Sequence, residues 1–337
     1  MELNKPTLSV VVPNFNHAKL LPRSLDGILS QSYQPLELIV IDDGSTDNSI
    51  EVIEAYAKQH SIIKLYRNEK NRGVSYTLNR GLHLAQGDYV TFPGADDEVM
   101  PGLFEKQMGL FAQFPQAAMC GTIVEFRNME TGQTYHQGTK ISDVPRYFSP
   151  EEVIQLSRED KLILFTSTMT LRREAMIEAG YLPELKWHAD WFAYFIPAFR
   201  YGFCFIPEVL GEFAVYPSSY SKKGMRDPQA QSGVLRNILE TLLKPQFADV
   251  HPAIVRSSVL APFGKEMLCL ILRNRRYRCF FTPLYLKNAL WWIARIELKK
   301  VLPGWVAELY FRLAGHKVPA PKSLSAARNK VAKASGQ

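Results

Sequence analysis

The chain has 337 residues, and its 46% hydrophobic content is sufficient for the core of one large domain or of a domain with an appendage. No apolar run is long enough to cross a bilayer, and the segment from Met1 to Pro6 lacks the apolar core of a signal peptide. We therefore expect a cytoplasmic protein without a membrane span. The four cysteines are widely scattered, which argues against a zinc site.

The net charge of +7 is distributed unevenly along the chain. From Gly264 to Gln337 there are 15 Lys and Arg residues against 3 Asp and Glu, whereas the first 263 residues have 25 against 30. This asymmetry indicates that the C-terminal part meets an anionic surface, either lipid headgroups or nucleic acid.

The first part of the chain alternates short β-branched runs with segments of helical spacing. Ser45-Thr46-Asp47 can cap the helix that follows the second run. This β-α-β-α order predicts a doubly wound, mainly parallel sheet with helices on both faces. The strands are predicted at Leu8–Val12, Leu36–Ile41, Ile62–Tyr66 and Asp88–Phe92.

After Pro101 the alternation becomes less regular, and a polar loop is expected from Asn128 to Pro145. We divide the chain into a first domain at 1–221, a helical region rich in basic and aromatic residues at 222–316, and a tail at 317–337. The composition of the tail is typical of a mobile segment. Later strands are predicted at Ala118–Phe126, Ile163–Leu171 and Phe203–Val215, with a helix around Asp190–Tyr201.

Three of the predicted strands end in unusual polar loops. In an open parallel sheet, ligands bind beyond the carboxyl ends of the strands. An aromatic ring beside carboxylates suits a nucleoside, and an acidic loop suits Mg²⁺ or Mn²⁺ holding a diphosphate. The loops are Pro13-Asn14-Phe15-Asn16, Asp42-Asp43-Gly44-Ser45 and Gly94-Ala95-Asp96-Asp97.

Several spaced motifs, in order over roughly the first hundred residues, resemble glycosyltransferase family two, whose members are inverting enzymes with a GT-A fold. The agreement of the whole series is more specific than any one motif. The motifs are Ser9-Val-Val-Val-Pro-Asn-Phe-Asn16, Glu37-Leu-Ile-Val-Ile-Asp-Asp-Gly-Ser-Thr-Asp47, Asn71-Arg-Gly73 with Asn79, and Ala95-Asp-Asp-Glu98.

The resemblance implies a role for each motif. Phe15 would stack on the base, Asp42 or Asp43 would bind the nucleoside, and Asp96 would coordinate the metal. Asp97 is a second candidate metal ligand. The full donor-binding set is Pro13, Phe15, Asn16, Asp42, Asp43, Arg72, Asn79, Ala95 and Asp96, in which Arg72 and Asn79 would face the nucleotide or support its loop.

Structural alternatives stand beside these roles. The Asp42-Asp43 pair also fits a turn and helix cap, and Phe15 could pack against the sheet edge. The loop from Asp96 to Glu98 could be a solvated segment before a helix, where acidic residues favour the helix dipole.

The resemblance also implies a catalytic base, for which Asp190 in Trp187-His188-Ala189-Asp190-Trp191 is the candidate. Such a base takes the proton from the acceptor hydroxyl as its oxygen attacks. The alternative is a buried structural carboxylate.

The sequence departs from the family pattern at several positions. Gly94 stands where the first acid of Asp-x-Asp is usual, and Ala189 stands where a Glu commonly precedes the base. Ala214 and Tyr216 stand where the family often has Arg and His. Either other residues supply the missing charges, or activity is low, altered or absent. The candidate replacements are His188, Arg200, Lys222 and Lys223.

The C-terminal region interleaves cations with aromatic and aliphatic residues, as in Arg273–Arg278 followed by Phe280–Ile293. This pattern fits helices lying in a membrane interface, although Lys287 and Arg295 argue against a span. The alternative is an ordinary helical subdomain whose aromatics pack inward.

The leading hypothesis is an inverting transfer of one sugar from a UDP-sugar or similar donor to a hydroxyl of a surface or lipid-linked glycan, with Mg²⁺ or Mn²⁺. The protein would lie peripherally on the inner face of the cell membrane. The second hypothesis is a catalytically weak nucleotide-sugar-binding homologue that acts as a scaffold. Nucleic-acid binding is disfavoured because the sequence contains no known motif for recognising DNA or RNA.

Overall fold

The computed structural model describes residues 5–137, 141–162, 167–216 and 224–301. Its described strands form one sheet, in the order β3-β2-β1-β4-β9-β6-β10-β5, with β7 paired to β6 and β8 paired to β10. The strands are β1 (Leu8–Asn14), β2 (Glu37–Asp42), β3 (Ile63–Arg67), β4 (Tyr89–Thr91), β5 (Glu98–Val99), β6 (Met119–Asn128), β7 (Thr134–Gln137), β8 (Arg146–Phe148), β9 (Thr170–Arg172) and β10 (Phe203–Val215).

Helices cover both faces of this sheet. They are α1 (Leu21–Leu29), α2 (Ser49–Gln59), α3 (Val74–Leu84), α4 (Leu103–Gln113), α5 (Pro150–Arg158), α6 (Arg173–Ala179), α7 (Ala189–Tyr201), α8 (Pro228–Leu242), α9 (His251–Ser257), α10 (Gly264–Arg273) and α11 (Pro283–Val301). Short 3-10 helices lie at Pro183–His188, Pro245–Phe247, Ala261–Phe263 and Arg275–Phe280.

The first four strands form the parallel half of the sheet, as the sequence predicts. β1 pairs in parallel with β2 and β4, and β2 pairs in parallel with β3. Successive side chains of a strand point to opposite faces. Val11 therefore joins the core beneath α3, whereas Val10 and Val12 join the core beneath α1 and α2. Burial on both faces explains why β1 and β2 read as continuous apolar runs.

The second half makes the sheet mixed. β9 is antiparallel to both of its neighbours, β4 and β6, while β10 is parallel to β6 and antiparallel to β5. The strand predicted at Ile163–Leu171 appears only as Thr170–Arg172, and residues 163–166 lie outside the described residues. The strand predicted at Phe203–Val215 and the helix near Asp190 are confirmed.

The helices after β10 share a core with those before it. Leu235 and Ile238 of α8 belong to the same buried cluster as Phe192 of α7 and Met176 of α6. The division at residue 221 and the helical region at 222–316 remain predictions, and the tail at 317–337 lies outside the described residues. Among the described helices, none has the length and apolar character needed to cross a membrane.

Candidate active site

The carboxyl ends of β1, β2 and β3 lie side by side, with Asn14 in register with Asp42 and Asp42 with Arg67. This alignment places the loops after β1 and β2 next to each other. Asn16 joins them, because its backbone N–H donates to Ser45 Oγ at 2.9 Å and its side-chain Oδ1 accepts the N–H of Thr46 at 2.8 Å.

Asp42 is buried and shapes the turn that follows β2. Its Oδ1 accepts a hydrogen bond from the side-chain amide of Asn14 at 2.8 Å, and its Oδ2 accepts the backbone N–H of Ser45 at 3.0 Å. These are the bonds of a turn held by a carboxylate. Asp42 therefore connects the ends of the first two strands.

Asp43 is also buried, and its carboxylate holds the loop after β3. It accepts hydrogen bonds from the side chain of Asn68 at 2.7 Å and from the backbone N–H groups of Arg72 and Gly73, both at 2.9 Å. A Cβ on the adjacent Gly44, which has φ of 76°, would lie 2.8 Å from the backbone of the same loop. Glycine is thus required there by both conformation and space.

Phe15 and Arg72, two of the predicted donor-binding residues, are exposed at this edge. The Phe15 ring is 40% exposed, and Pro13 beside it is half-buried at the end of β1. The side chain of Arg72 is exposed and lies over the Tyr76 ring at 4.0 Å. Aromatic and guanidinium groups are therefore accessible above the buried carboxylates.

Asn79 lies on α3, with its amide engaged inside the protein. Its Oδ1 accepts the backbone N–H of Tyr181 at 3.1 Å, and its Nδ2 donates to the carbonyl of the same residue. Of the two roles that the resemblance allows, this geometry favours support of a neighbouring segment.

The loop after β4 brings two carboxylates together at Gly94. A Cβ on this glycine would lie 2.8 Å from Asp96 Oδ1 and 2.9 Å from Asp97 Oδ2, so both oxygens approach the same point. Ala95, which lies between Gly94 and Asp96 in the chain, is buried. The missing side chain at Gly94 therefore provides the space in which the two carboxylates converge.

Asp97 is the more deeply buried of the two. Its Oδ1 accepts the backbone N–H of Ala214, on β10, at 3.0 Å. Burial, and after it the charge of Asp96, raises the pKa of Asp97 to about 8. Two carboxylates this close repel each other when both are ionised, and a cation between them relieves the repulsion.

The two oxygens fit Mg²⁺ or Mn²⁺ in chemistry and in number. These ions are bound through one or two carboxylates, with waters and substrate phosphates completing the shell. In the parts of the chain that the structure describes, no group of three or more His, Cys, Asp or Glu side chains could hold an ion. An ion held by two carboxylates would take its remaining ligands from water and from substrate phosphates.

A second charged network beside this loop was missed from the sequence. Glu212 of β10 is buried and pairs with Arg127 at 2.6 Å and with Arg23, which also pairs with Glu98 at 2.6 Å. Burial alone would raise the pKa of Glu212, but the hydrogen bonds from the two arginines outweigh it and lower that pKa. The sequence signal that could have indicated this network was the single Glu within the apolar run Gly211–Val215.

Asp190 is half-buried in the first turn of α7, where the helix dipole favours a carboxylate. The segment before it is anchored to α8, because Trp187 Nε1 donates to Gln231 Oε1 at 2.7 Å and His188 Nε2 lies 3.2 Å from the same oxygen. Phe263 packs against both His188 and Trp191. The C-terminal helices thus support the segment that presents Asp190.

Of the four residues that the sequence offers in place of the missing cations, the structure describes His188 and Arg200. Burial lowers the pKa of His188 to about 4, so it is neutral near pH 7. Arg200 lies at the other end of α7 and is bound to Asp249 at 2.7 Å. Lys222 and Lys223 lie outside the described residues.

The mixed, mainly parallel sheet flanked by helices, with the acidic loop at the end of β4, is that of a GT-A glycosyltransferase fold. The family model of glycosyl transferase family 2 matches residues 9–180, which is half of the chain. The chain belongs to this family, as its motifs predict.

Curated relatives match part of the chain. An uncharacterised glycosyltransferase of Haemophilus influenzae is 40% identical over 111 residues, 33% of this chain and 44% of the relative. YibD of Escherichia coli is 37% identical over 129 residues, 38% of this chain and 37% of the relative. The GalNAc(5)-diNAcBac-PP-undecaprenol beta-1,3-glucosyltransferase of Campylobacter jejuni is 38% identical over 104 residues, 31% of this chain and 34% of the relative. The matches thus span less than half of these relatives' lengths.

Solved structures extend the likeness over most of the chain. S. aureus TarS 1–349 in complex with UDP-GlcNAc has a TM-score of 0.59 at 15% identity, covering 91% of this chain and 87% of TarS. The mannosyltransferase PcManGT of Pyrobaculum calidifontis, in complex with GDP-Man and Mn²⁺, has a TM-score of 0.51 at 20% identity, covering 87% and 88%. At such identities the likeness establishes the fold.

Proposed function

We propose that the protein transfers a sugar from a nucleotide-diphosphate donor to an acceptor hydroxyl, with inversion at the anomeric carbon. The convergence of the Asp96 and Asp97 oxygens at Gly94 is the observation on which this proposal rests. Such a pair, at the strand edge where nucleotides bind in α/β folds, supports a site for a cation and a diphosphate.

The donor lies across the ends of β1, β2 and β4. Phe15, with its exposed ring, stacks on the base, and the loops built by Asp42 and Asp43 hold the nucleoside. Asp96 and Asp97 would hold Mg²⁺ or Mn²⁺, and the bound ion would supply positive charge to the diphosphate leaving group. A UDP-sugar is the proposed donor, supported by the UDP-GlcNAc complex of the TarS neighbour.

Asp190 is the proposed general base. It removes the proton of the acceptor hydroxyl while the acceptor oxygen attacks the anomeric carbon from the side opposite the diphosphate. The C1–O bond to the diphosphate breaks as the new C1–O bond forms, and the diphosphate leaves with its bonding electrons. The first turn of α7 favours the charged carboxylate before the proton moves.

Thermal-shift measurements with UDP, GDP, UDP-GlcNAc and GDP-mannose, with and without Mn²⁺, test the donor site. We expect at least one nucleotide to stabilise the wild type in a Mn²⁺-dependent manner, and Asp96→Asn to lose this effect. Glu98→Gln is the matched control, since Glu98 directly follows the loop, at the start of β5, but pairs with Arg23. Absence of Mn²⁺-linked stabilisation by every nucleotide would contradict the proposal.

A scaffold that binds a nucleotide sugar without efficient turnover is the second candidate. Two observations favour it: Gly94 removes one acid, and His188 is neutral and so cannot replace a missing cation. Release of UDP from UDP-GlcNAc, or of GDP from GDP-mannose, distinguishes the two candidates. Mn²⁺-dependent release above the rate of Asp190→Asn supports the enzyme, and binding without release supports the scaffold.

The proposed acceptor is a surface or lipid-linked glycan, reached from the inner face of the cell membrane. The name of the Campylobacter relative, an undecaprenol-linked glycan transferase, supports such an acceptor. In the C-terminal region Phe280 and Tyr285 are buried, as in an ordinary helical subdomain, whereas Leu290 is 53% exposed. Arg275 and Arg278 are exposed in the preceding segment and suit anionic headgroups.

Co-sedimentation with phosphatidylglycerol and phosphatidylcholine vesicles tests this peripheral contact. We expect binding to the anionic vesicles only, weakened by 0.5 M salt because exposed charges are screened. The double reversal Arg275→Glu/Arg278→Glu should abolish binding, whereas Lys58→Glu/Lys161→Glu, which reverses two exposed lysines elsewhere, should not. Equal loss in both variants would indicate a net-charge effect without a defined surface.

A further inference from the structure

Two buried tyrosines lie between the donor-side helix α3 and the proposed base. The hydroxyl oxygens of Tyr181 and Tyr194 are 3.0 Å apart, and both side chains are almost fully buried. Buried phenol groups require a polar partner, because an unpaired hydroxyl in an apolar core is costly. The pair thus forms a polar contact inside an otherwise apolar cluster.

Tyr181 is held in place from two sides. The side chain of Asn79, on α3, binds both the backbone N–H and the carbonyl of Tyr181. The rings of Tyr181 and Phe92 make a T-shaped contact, with 5.4 Å between centroids. Phe92 directly follows β4, on the chain leading to the acidic loop. Tyr181 is therefore attached to the half of the molecule that forms the proposed donor site.

Tyr194 is attached to the base through α7. It follows Asp190 by four residues, so the two side chains lie on the same face of the helix. Long side chains of a helix also point back towards its N-terminus, which directs Tyr194 towards Asp190. Burial, then Tyr194, then the charge of Asp190 raise the pKa of Tyr181 well above its ordinary value.

We propose that Tyr181 and Tyr194 are positioning residues, whose paired hydroxyls, fixed to α3 by Asn79, orient the carboxylate of Asp190. The pair uses one O–H in its own hydrogen bond, and the other O–H orients in the field of the nearby negative charge. The link keeps the base in a constant position relative to the donor. The inference rests on the proposed function through the role of Asp190.

The titration of the Asp190 carboxyl carbon, followed by ¹³C NMR in protein labelled at aspartate, tests this inference without any ligand. The signal is assigned by its absence in Asp190→Asn. Because the hydroxyl dipoles favour the charged carboxylate, Tyr181→Phe and Tyr194→Phe should each raise the titration midpoint by about 0.5 pH unit. The double variant should shift it no further, since either change breaks the pair.

Tyr147→Phe is the matched control, because its hydroxyl donates to the Tyr201 carbonyl at 2.9 Å, away from Asp190. We expect no change in the Asp190 midpoint there. An unchanged midpoint in both Tyr181→Phe and Tyr194→Phe would overturn the inference, even if both variants were less stable. Failure of the proposed function is a separate result, seen as unchanged donor turnover in Asp190→Asn.

Discussion

The two halves of the sheet build their parts of the site by different means. In the parallel half, buried carboxylates such as Asp42 and Asp43 are bound by groups at the strand ends, half of them backbone N–H groups and half short polar side chains. In the second half, the segment that presents Asp190 is held by side chains from distant helices, including Gln231 and Phe263. The proposed donor side therefore depends on local turn chemistry, and the proposed acceptor side, around Asp190, depends on tertiary packing.

The largest effect is expected from replacing the proposed base, Asp190, which should reduce turnover without changing donor binding. Asp190→Asn should lower donor turnover about 10³-fold, since general-base catalysis contributes about 10²–10⁴. The Mn²⁺-dependent stabilisation by a nucleotide should be unchanged, because the donor side is intact. Glu184→Gln, an exposed carboxylate just before the base, is the control. Loss of nucleotide stabilisation in Asp190→Asn would show that the two sides are not separable.

The local chemistry of the donor side can be tested at Asp43. Asp43→Asn should lower the free energy of unfolding by about 3 kcal/mol, because a buried carboxylate that accepts three N–H bonds is replaced by a group that also donates. Asp227→Asn is the control, because this exposed helix cap accepts two backbone N–H groups and Asn caps equally well. Urea denaturation measures the free energy of unfolding of both variants. An equal loss of stability in the two would contradict the expected difference between them.

The burial of His188, two residues before the proposed base, predicts that the stability of the fold depends on pH. The unfolded chain protonates this residue near pH 6.5, whereas the folded chain does so only near pH 4. Stability should therefore fall as the pH drops below 6.5, by about 2 kcal/mol at about pH 5, and be unaffected above pH 7. His188→Gln should flatten this part of the curve. An unchanged slope in the variant would contradict a buried neutral imidazole.

The smallest effect is expected at the glycine of the acidic loop. Gly94→Ala should weaken Mn²⁺-dependent nucleotide binding about 5-fold, about 1 kcal/mol, because the new methyl group displaces the two carboxylates. Gly109→Ala is the control, since its Cβ would meet no atom within 4 Å. In that helical position alanine should raise stability by about 0.5–1 kcal/mol and leave binding unchanged. Equal nucleotide affinity of the two variants would show that Gly94 does not contribute to the site.

The sequence predicts the parallel half of the sheet well because its signals are local. Strand ends, Gly44 and the acidic residues that follow lie within short motifs, and the fold places those motifs at one edge. The resemblance also identifies Asp190, although its role remains a prediction. The extent of β9 could not be read from the sequence, since a three-residue strand has almost no periodicity.

The long-range contacts could not be predicted. Asn79 binds Tyr181 across 102 positions, and Glu212 joins Arg23 across 189. Both contacts depend on the sheet order, in which β9 enters antiparallel beside β4 and β10 lies next to β5. No local pattern specifies that order. For the same reason the sequence suggested His188 as a cation, whereas its burial makes it neutral.

The hydrogen bond from Ala214 to Asp97 has a consequence for how the protein matures on the ribosome. All the family motifs of the N-terminal part are translated before β10, yet the acidic loop lacks this N–H partner until residue 214 has left the exit tunnel and β10 has joined the sheet. A nascent chain ending earlier would have two adjacent carboxylates without the strand that fixes one of them. The proposed cation site is thus completed late in biosynthesis. A fragment limited to the family-matched residues 9–180 would lack the N–H of Ala214 that binds Asp97.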